Sequence, residues 1–146
     1  MNVFGKVEGV TYLISISEKT LLIGALGGVF RFDLHAGLSS GKLTRLKTPK
    51  GITCGVMQGG DILWGTEKDG CFVMSAFNLD APYQRLADIP FSNIVSLTID
   101  LNNGLWLVGP ESLASFKSGF FEQIDLSQAD LPVDCLHESQ HGDLYV

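Results

Sequence analysis

Apolar residues recur at every second position over short stretches: Tyr12, Ile14 and Ile16, then Ile52, Cys54 and Val56, then Val95, Leu97 and Ile99. Such alternation marks a strand with one face turned inward. Each stretch is followed by a continuous apolar triplet closed by glycine: Leu21-Leu22-Ile23-Gly24, Ile62-Leu63-Trp64-Gly65 and Trp106-Leu107-Val108-Gly109. A continuous run predicts a strand covered on both faces. A third strand is predicted at Val29 to Phe32, Cys71 to Met74 and Leu113 to Phe116. A fourth follows at Leu43 to Leu46, Tyr83 to Leu86 and Phe120 to Ile124. Turn residues such as Gly59-Gly60-Asp61, Asn102-Asn103-Gly104 and Lys117-Ser118-Gly119 separate them. No stretch of useful length carries the helical period, so no α/β alternation competes.

The closing glycines stand 41 and then 44 residues apart, and Leu144-Tyr145-Val146 opens a further triplet. Four short strands in a unit of roughly 40 to 45 residues are the signature of propeller blades. The expected fold class is all-β: β-propeller blades, each a four-stranded antiparallel unit, with about three and a half repeats forming a partial or half propeller. One domain covers 1–146, with blades near 10–50, 51–93 and 94–131, a partial blade at 132–146 and an N-terminal strand at 2–7. The register makes Ile14, Cys54, Leu97 and Cys135 equivalent, which assigns these cysteines to packing. Trp64 and Trp106 are also read as equivalent, as blade packing rather than a sugar-stacking platform.

Composition narrows the function classes. The 146 residues suffice for one domain with a real core, and 45% hydrophobic against 18% charged residues excludes disorder. A net charge of −6 disfavours a nucleic-acid partner, and Lys42, Arg45, Lys47 and Lys50 read as an ordinary solvated edge. The longest apolar run, Leu21 to Phe30, is too short to span a bilayer, so no membrane insertion is expected. No signal peptide is visible, a pattern that the mature domain of an exported protein shares, and the compartment stays open. Three cysteines without a CxxC fit no zinc ribbon and identify no redox compartment.

Enzyme signatures are few. His137-Glu138-Ser139-Gln140-His141 matches HExxH, whose zinc chemistry needs both histidines on one helical face. Here Gly142 follows at once, no apolar helix flanks the motif, and the repeat places Glu138 in the hairpin between strands one and two. The match is therefore read as a decoy. Asp100-Leu101-Asn102-Asn103-Gly104 opens like a calcium loop, but Glu111 lies one position off the required spacing and a hairpin turn fits better. No nucleophile context and no phosphate-cradling glycine loop occur. No catalytic residue, metal ligand or cofactor is expected.

Asp61-Ile62-Leu63-Trp64-Gly65-Thr66, Asp100 to Trp106, and Gly27 to Asp33 resemble the repeat of the two-component regulator propeller family, over about Val10 to Val146. The chain departs from that pattern at Pro110, where the family tends to have Thr, and at Leu22, which replaces Trp. The resemblance implies an extracytoplasmic sensor domain that binds a ligand, often a carbohydrate fragment, and signals through a membrane helix to a kinase. It implies a periplasmic location if the chain is a sensor ectodomain fragment.

The resulting expectation is a non-enzymatic ligand-sensing or protein-interaction module. The alternatives are a propeller-fold lyase or hydrolase, or a purely structural interaction module. Ligand-binding residues are expected on loops that gather at one face: Glu67, Lys68, Asp69, Phe91, Asn93 and Glu111. The ligand is expected to be a carbohydrate or another small molecule. An open arc would also expose strand edges and an apolar blade face, so self-association or the remainder of a longer propeller is expected as a partner.

Overall fold

A computed structural model describes residues 7–35, 40–117, 120–125, 137–138 and 144–145. The predicted N-terminal strand at 2–7 and Cys135 lie largely or wholly outside these residues. The described residues form strands and turns and contain no helix. Sheet one contains β1 (Val10–Ser15), β2 (Thr20–Ala25), β3 (Gly28–His35) and β4 (Ser40–Arg45). Sheet two contains β5 (Ile52–Gln58), β6 (Asp61–Thr66), β7 (Cys71–Ser75) and β8 (Gln84–Arg85). Sheet three contains β9 (Ser96–Ile99), β10 (Leu105–Val108), β11 (Ser112–Lys117) and β12 (Phe120–Asp125). Each is an antiparallel meander in chain order. A further antiparallel pair joins β13 (His137–Glu138) to β14 (Leu144–Tyr145).

The sheets stack face on face. Ile14, Leu22, Val29 and Leu46 of sheet one and its exit pack against Ile62, Trp64, Phe72 and Met74 of sheet two. The other face of sheet two brings Cys54, Leu63 and Cys71 against Leu97, Leu105 and Leu107 of sheet three. Sheet two is thus covered on both sides, and β6 is buried from Ile62 to Thr66, as its continuous apolar run requires. Two threonine hydroxyls clasp successive sheets at the same offset of 41 residues. Thr11 Oγ1 donates to the Ile52 carbonyl at 2.7 Å, and Thr53 Oγ1 donates to the Ile94 carbonyl.

The structure corrects the repeat register. Gly24 pairs with Val29 and Gly65 with Cys71, but in sheet three the pair at that place is Val108 with Leu113. Val108, not Gly109, occupies the anchor position, and Gly109 falls where sheet two has Thr66. The family-pattern departure assigned to Pro110 therefore falls at Gly109, where Phe91 leaves little room: an added Cβ would lie 3.0 Å from its ring. The one-residue slip turns the third triplet over, because side chains alternate between faces. Trp64 packs toward sheet one, whereas Trp106, with Val108 and Leu113, lies on the face of sheet three turned away from sheet two. The two tryptophans are not equivalent. Ile14 and Cys54 each face the following sheet, but Ile14 pairs with Leu22 and Cys54 with Gly65, two places apart in the register, and Leu97 faces back toward sheet two, so these three are not equivalent either. The clasps instead make Thr11 and Thr53 equivalent.

Candidate functional site

The loops between second and third strands and the connectors between sheets lie along one rim. Backbone bonds join them in sequence across the stack. Gly51 N donates to Leu26 O at 2.7 Å, Glu67 N to Gly51 O at 2.9 Å, Ile94 N to Thr66 O at 2.9 Å, and Gly70 N to Ser92 O at 2.8 Å. The β2–β3 loop is thereby joined to the β4–β5 connector, that to the β6–β7 loop, and that to the β8–β9 connector. Phe91 then lies over Gly109 at the start of the β10–β11 loop.

Thr66 holds the central loop from below. Its fully buried hydroxyl donates to Gly70 O at 2.8 Å and accepts from Asp69 N at 2.9 Å. Glu67, Lys68 and Asp69 are all exposed in the turn so closed. Gly70 has φ +72, in the left-handed region that glycine adopts without strain.

Lys68 and Asp69 form the divide between two shallow depressions. One, of about 420 Å³, is bordered by Leu26, Lys50, Gly51 and Glu67. The other, of about 550 Å³, is bordered by Arg85, Asp88, Ile89, Phe91 and Ser92. Arg85 Nη1 donates to Asp69 O at 2.9 Å, fixing the guanidinium at the second depression. The structure therefore brings Glu67, Lys68, Asp69 and Phe91 together. Asn93 is exposed beside them, its carbonyl close to Gly109, and exposed Glu111 lies in the next loop. Lys50, Arg85 and Asp88 were missed by sequence reasoning. Lys50 and Asp88 belong to connectors and Arg85 ends the short strand β8, so only tertiary contacts reveal their neighbours.

A third recess, of about 740 Å³, lies between the outer strands of sheets one and two. Leu46, Leu79, Pro82 and Tyr83 line it, with Arg45, Lys47 and Asp80 around it. Tyr83 also packs against Phe72 at 5.2 Å between ring centres. Arg45 is committed to the fold, its guanidinium donating to Gly27 O at 2.8 and 3.0 Å.

Two sequence motifs resolve into structure. Asp100 Oδ1 accepts from Asn102 N at 2.9 Å and Gly104 N at 2.7 Å, and Oδ2 accepts from Trp106 Nε1 at 2.9 Å. The carboxylate closes a hairpin turn, as its sequence context indicates. His137 and Glu138 lie in a strand, so no helical face presents them together; His141 lies outside the described residues. Among the described residues, no group of three His, Cys, Asp or Glu side chains converges as a metal site would require. The described residues contain no helix long and apolar enough to cross a membrane.

No family model matches the sequence, and no curated protein matches it. Among solved structures, the chain is similar to the extracellular domain of the candidate one component system BT4673 from B. thetaiotaomicron. The TM-score is 0.71 at 18% identity, covering 88% of this chain and 18% of that one. A second structure of the BT4673 extracellular domain, there described as a hybrid two component system, gives 0.73 at 17% identity over 90% and 18%. The extracellular domain of the candidate hybrid two component system BT3049 from the same organism gives 0.69 at 16% identity, over 97% and 22%. The likeness is one of fold, and this chain spans about a fifth of each of those chains. These are domains of the class that the repeat motifs resemble.

Proposed function

We propose that the chain is a non-enzymatic sensing module, built of propeller blades and working outside the cytoplasm as part of a regulator that responds to a small polar ligand. The observation that carries this reading is the rim, where the β2–β3 and β6–β7 loops and the connectors leading to sheets two and three are joined by backbone hydrogen bonds. A rim of this kind presents exposed side chains on a rigid support, an arrangement suited to recognition. The fold shared with extracellular domains of two-component systems supports the same reading.

Lys50, Glu67, Lys68, Asp69, Arg85 and Asp88 supply donors and acceptors of both signs around the two depressions. Such a set suits a neutral polyhydroxylated ligand, with Phe91 offering a ring edge or face. The ligand class proposed is therefore a carbohydrate fragment, held by Glu67, Lys68, Asp69, Phe91, Asn93 and Glu111. The test is a titration with a panel of neutral oligosaccharides, followed by amide chemical shifts. The expected result is saturable shifts at residues 67–70 and 88–93. Shifts confined to the β1–β2, β5–β6 and β9–β10 hairpins would overturn it.

A further inference from the structure

The outer edges of sheets one and two are unequal. β4 pairs with β3 over all six of its residues, whereas β8 has two residues and pairs only with Phe72 and Val73 of β7. The gap beside the shorter strand is the recess of about 740 Å³ between the two edges. Its floor is apolar: Leu46 is buried, Leu79 and Tyr83 are half-buried against the core, and exposed Pro82 borders them. Among the described residues β4 is the last strand of its sheet, so one side of its backbone has no partner strand. Leu46 N donates to Val29 O of β3 at 2.9 Å, and backbone groups along a strand alternate in direction. Lys42 and Thr44 therefore bond toward β3, and the amides and carbonyls of Leu43 and Arg45 point to the open side. Charge along this edge has one sign. Four of the chain's ten Lys and Arg fall between Lys42 and Lys50, with no Asp or Glu among them, in a chain of net charge −6. Lys42 and Lys47 are exposed and take no ion-pair partner among the described residues.

We infer that the β4 edge and this recess bind an acidic, extended peptide segment of another protein, added to sheet one as a fifth strand. The outward amides and carbonyls of Leu43 and Arg45 supply its main-chain hydrogen bonds. Its side chains alternate between faces, as in any strand. Apolar ones enter the recess on the side of Thr44 and Leu46, against Leu79 and Tyr83, and acidic ones lie beside Arg45 and Lys47. Arg45 keeps its charge while Gly27 O holds its guanidinium. Cations on an edge strand discourage pairing with a neutral or basic edge, and the same charges favour an acidic one. The acidic balance of the whole chain works against such a segment elsewhere on the surface. The recess shares no lining residue with either rim depression, so this site stands or falls apart from the rim.

The test is selection from a phage-displayed library of random linear peptides, then fluorescence polarisation with the strongest peptide selected. Lys47→Glu and Pro82→Glu alter the site, and Lys19→Glu makes the same charge change in the β1–β2 turn as control. All three positions are exposed, so circular dichroism should be unaltered. The expected result is selected sequences that alternate acidic and apolar residues. Their affinity should fall about tenfold or more with Lys47→Glu and with Pro82→Glu, and stay unchanged with Lys19→Glu. Should either variant unfold, amide hydrogen exchange of the wild-type chain decides: the selected peptide should slow the Leu43 and Arg45 amides, which point to the open side. Selection of neutral or basic sequences, or of none, would overturn the inference. So would an affinity indifferent to both site variants, or Leu43 and Arg45 amides that exchange equally fast with and without peptide. Protection of those amides that rises with chain concentration in the absence of peptide would also overturn it, by placing a second copy on the edge.

Discussion

The indole of Trp64 lies against Gly24 of the neighbouring sheet so closely that a Cβ on Gly24 would sit 2.8 Å from its Cζ3. Gly55, beside Trp64 on the adjoining strand, is under the same ring, with a Cβ there falling 2.6 Å from Cε3. The largest fully buried side chain of the core is thus seated between two glycines, one from each sheet. Its Nε1 donates to Met74 Sδ at 3.1 Å, which satisfies the one polar atom of the ring.

Replacing Gly24 by Ala should therefore push the sheets apart or tilt the indole, lowering stability by about 2 kcal/mol. Gly27→Ala is the control, since a Cβ there meets only the Phe30 ring at 3.7 Å, ordinary contact. Its expected effect is within about 0.5 kcal/mol. Urea denaturation midpoints of both variants measure the difference, and equal midpoints would refute the seat.

The threonine clasps make a second prediction. Thr53→Val keeps the side-chain shape but leaves the Ile94 carbonyl without its hydroxyl donor, and should cost about 1 kcal/mol. Thr11→Val should cost a similar amount at the first interface. Each substitution weakens a separate sheet contact, so the double variant should be nearly additive. A thermal-melt series across the four proteins checks this.

Asp100 holds a hairpin and a tryptophan with one carboxylate. Asp100→Ala should cost about 2 kcal/mol, because two backbone amides and the Trp106 indole lose their acceptor together. Adding calcium should not change the melting temperature of the wild-type chain. A calcium-dependent rise that Asp100→Ala abolishes would contradict the hairpin assignment.

Burial pushes the Cys54 thiol up to about 11 and the Cys71 thiol up to about 12, the nearby Cys54 adding to the effect on Cys71. At pH 8 both should resist iodoacetamide in the folded protein and react once urea unfolds it, as peptide mass spectrometry would show. The sign of the pH effect follows. With 9.0 as the ordinary value, the unfolded chain loses these protons first as pH rises, while the folded chain keeps them. Stability from this source is complete below about pH 9 and falls between about pH 9 and 12. Urea midpoints at pH 8 and pH 10.5 should differ in that direction, and substitution of both cysteines by Ser should reduce the difference.

The chain's own residues, read in order, already determined the strand inventory and the three four-stranded units. Alternation and continuous apolar runs are local consequences of one or two covered faces, and glycine-rich turns mark their ends. The loops carrying Glu67, Lys68, Asp69 and Phe91 were legible for the same reason, since they lie between runs that must be strands. Facing was not legible. Gly109 looks like Gly24 and Gly65 in the sequence, yet Val108 holds the anchor place, and that single step turns Trp106 to the opposite face from Trp64. A slip of one residue leaves the hydrophobic pattern almost intact while reversing every side chain, so only pairing across strands decides it. The neighbours of the rim were equally a tertiary matter. Lys50 and Arg85 reach the central loop because Glu67 N bonds to Gly51 O and Arg85 Nη1 to Asp69 O. These contacts join segments 16 residues apart in the chain, and no local spacing encodes them.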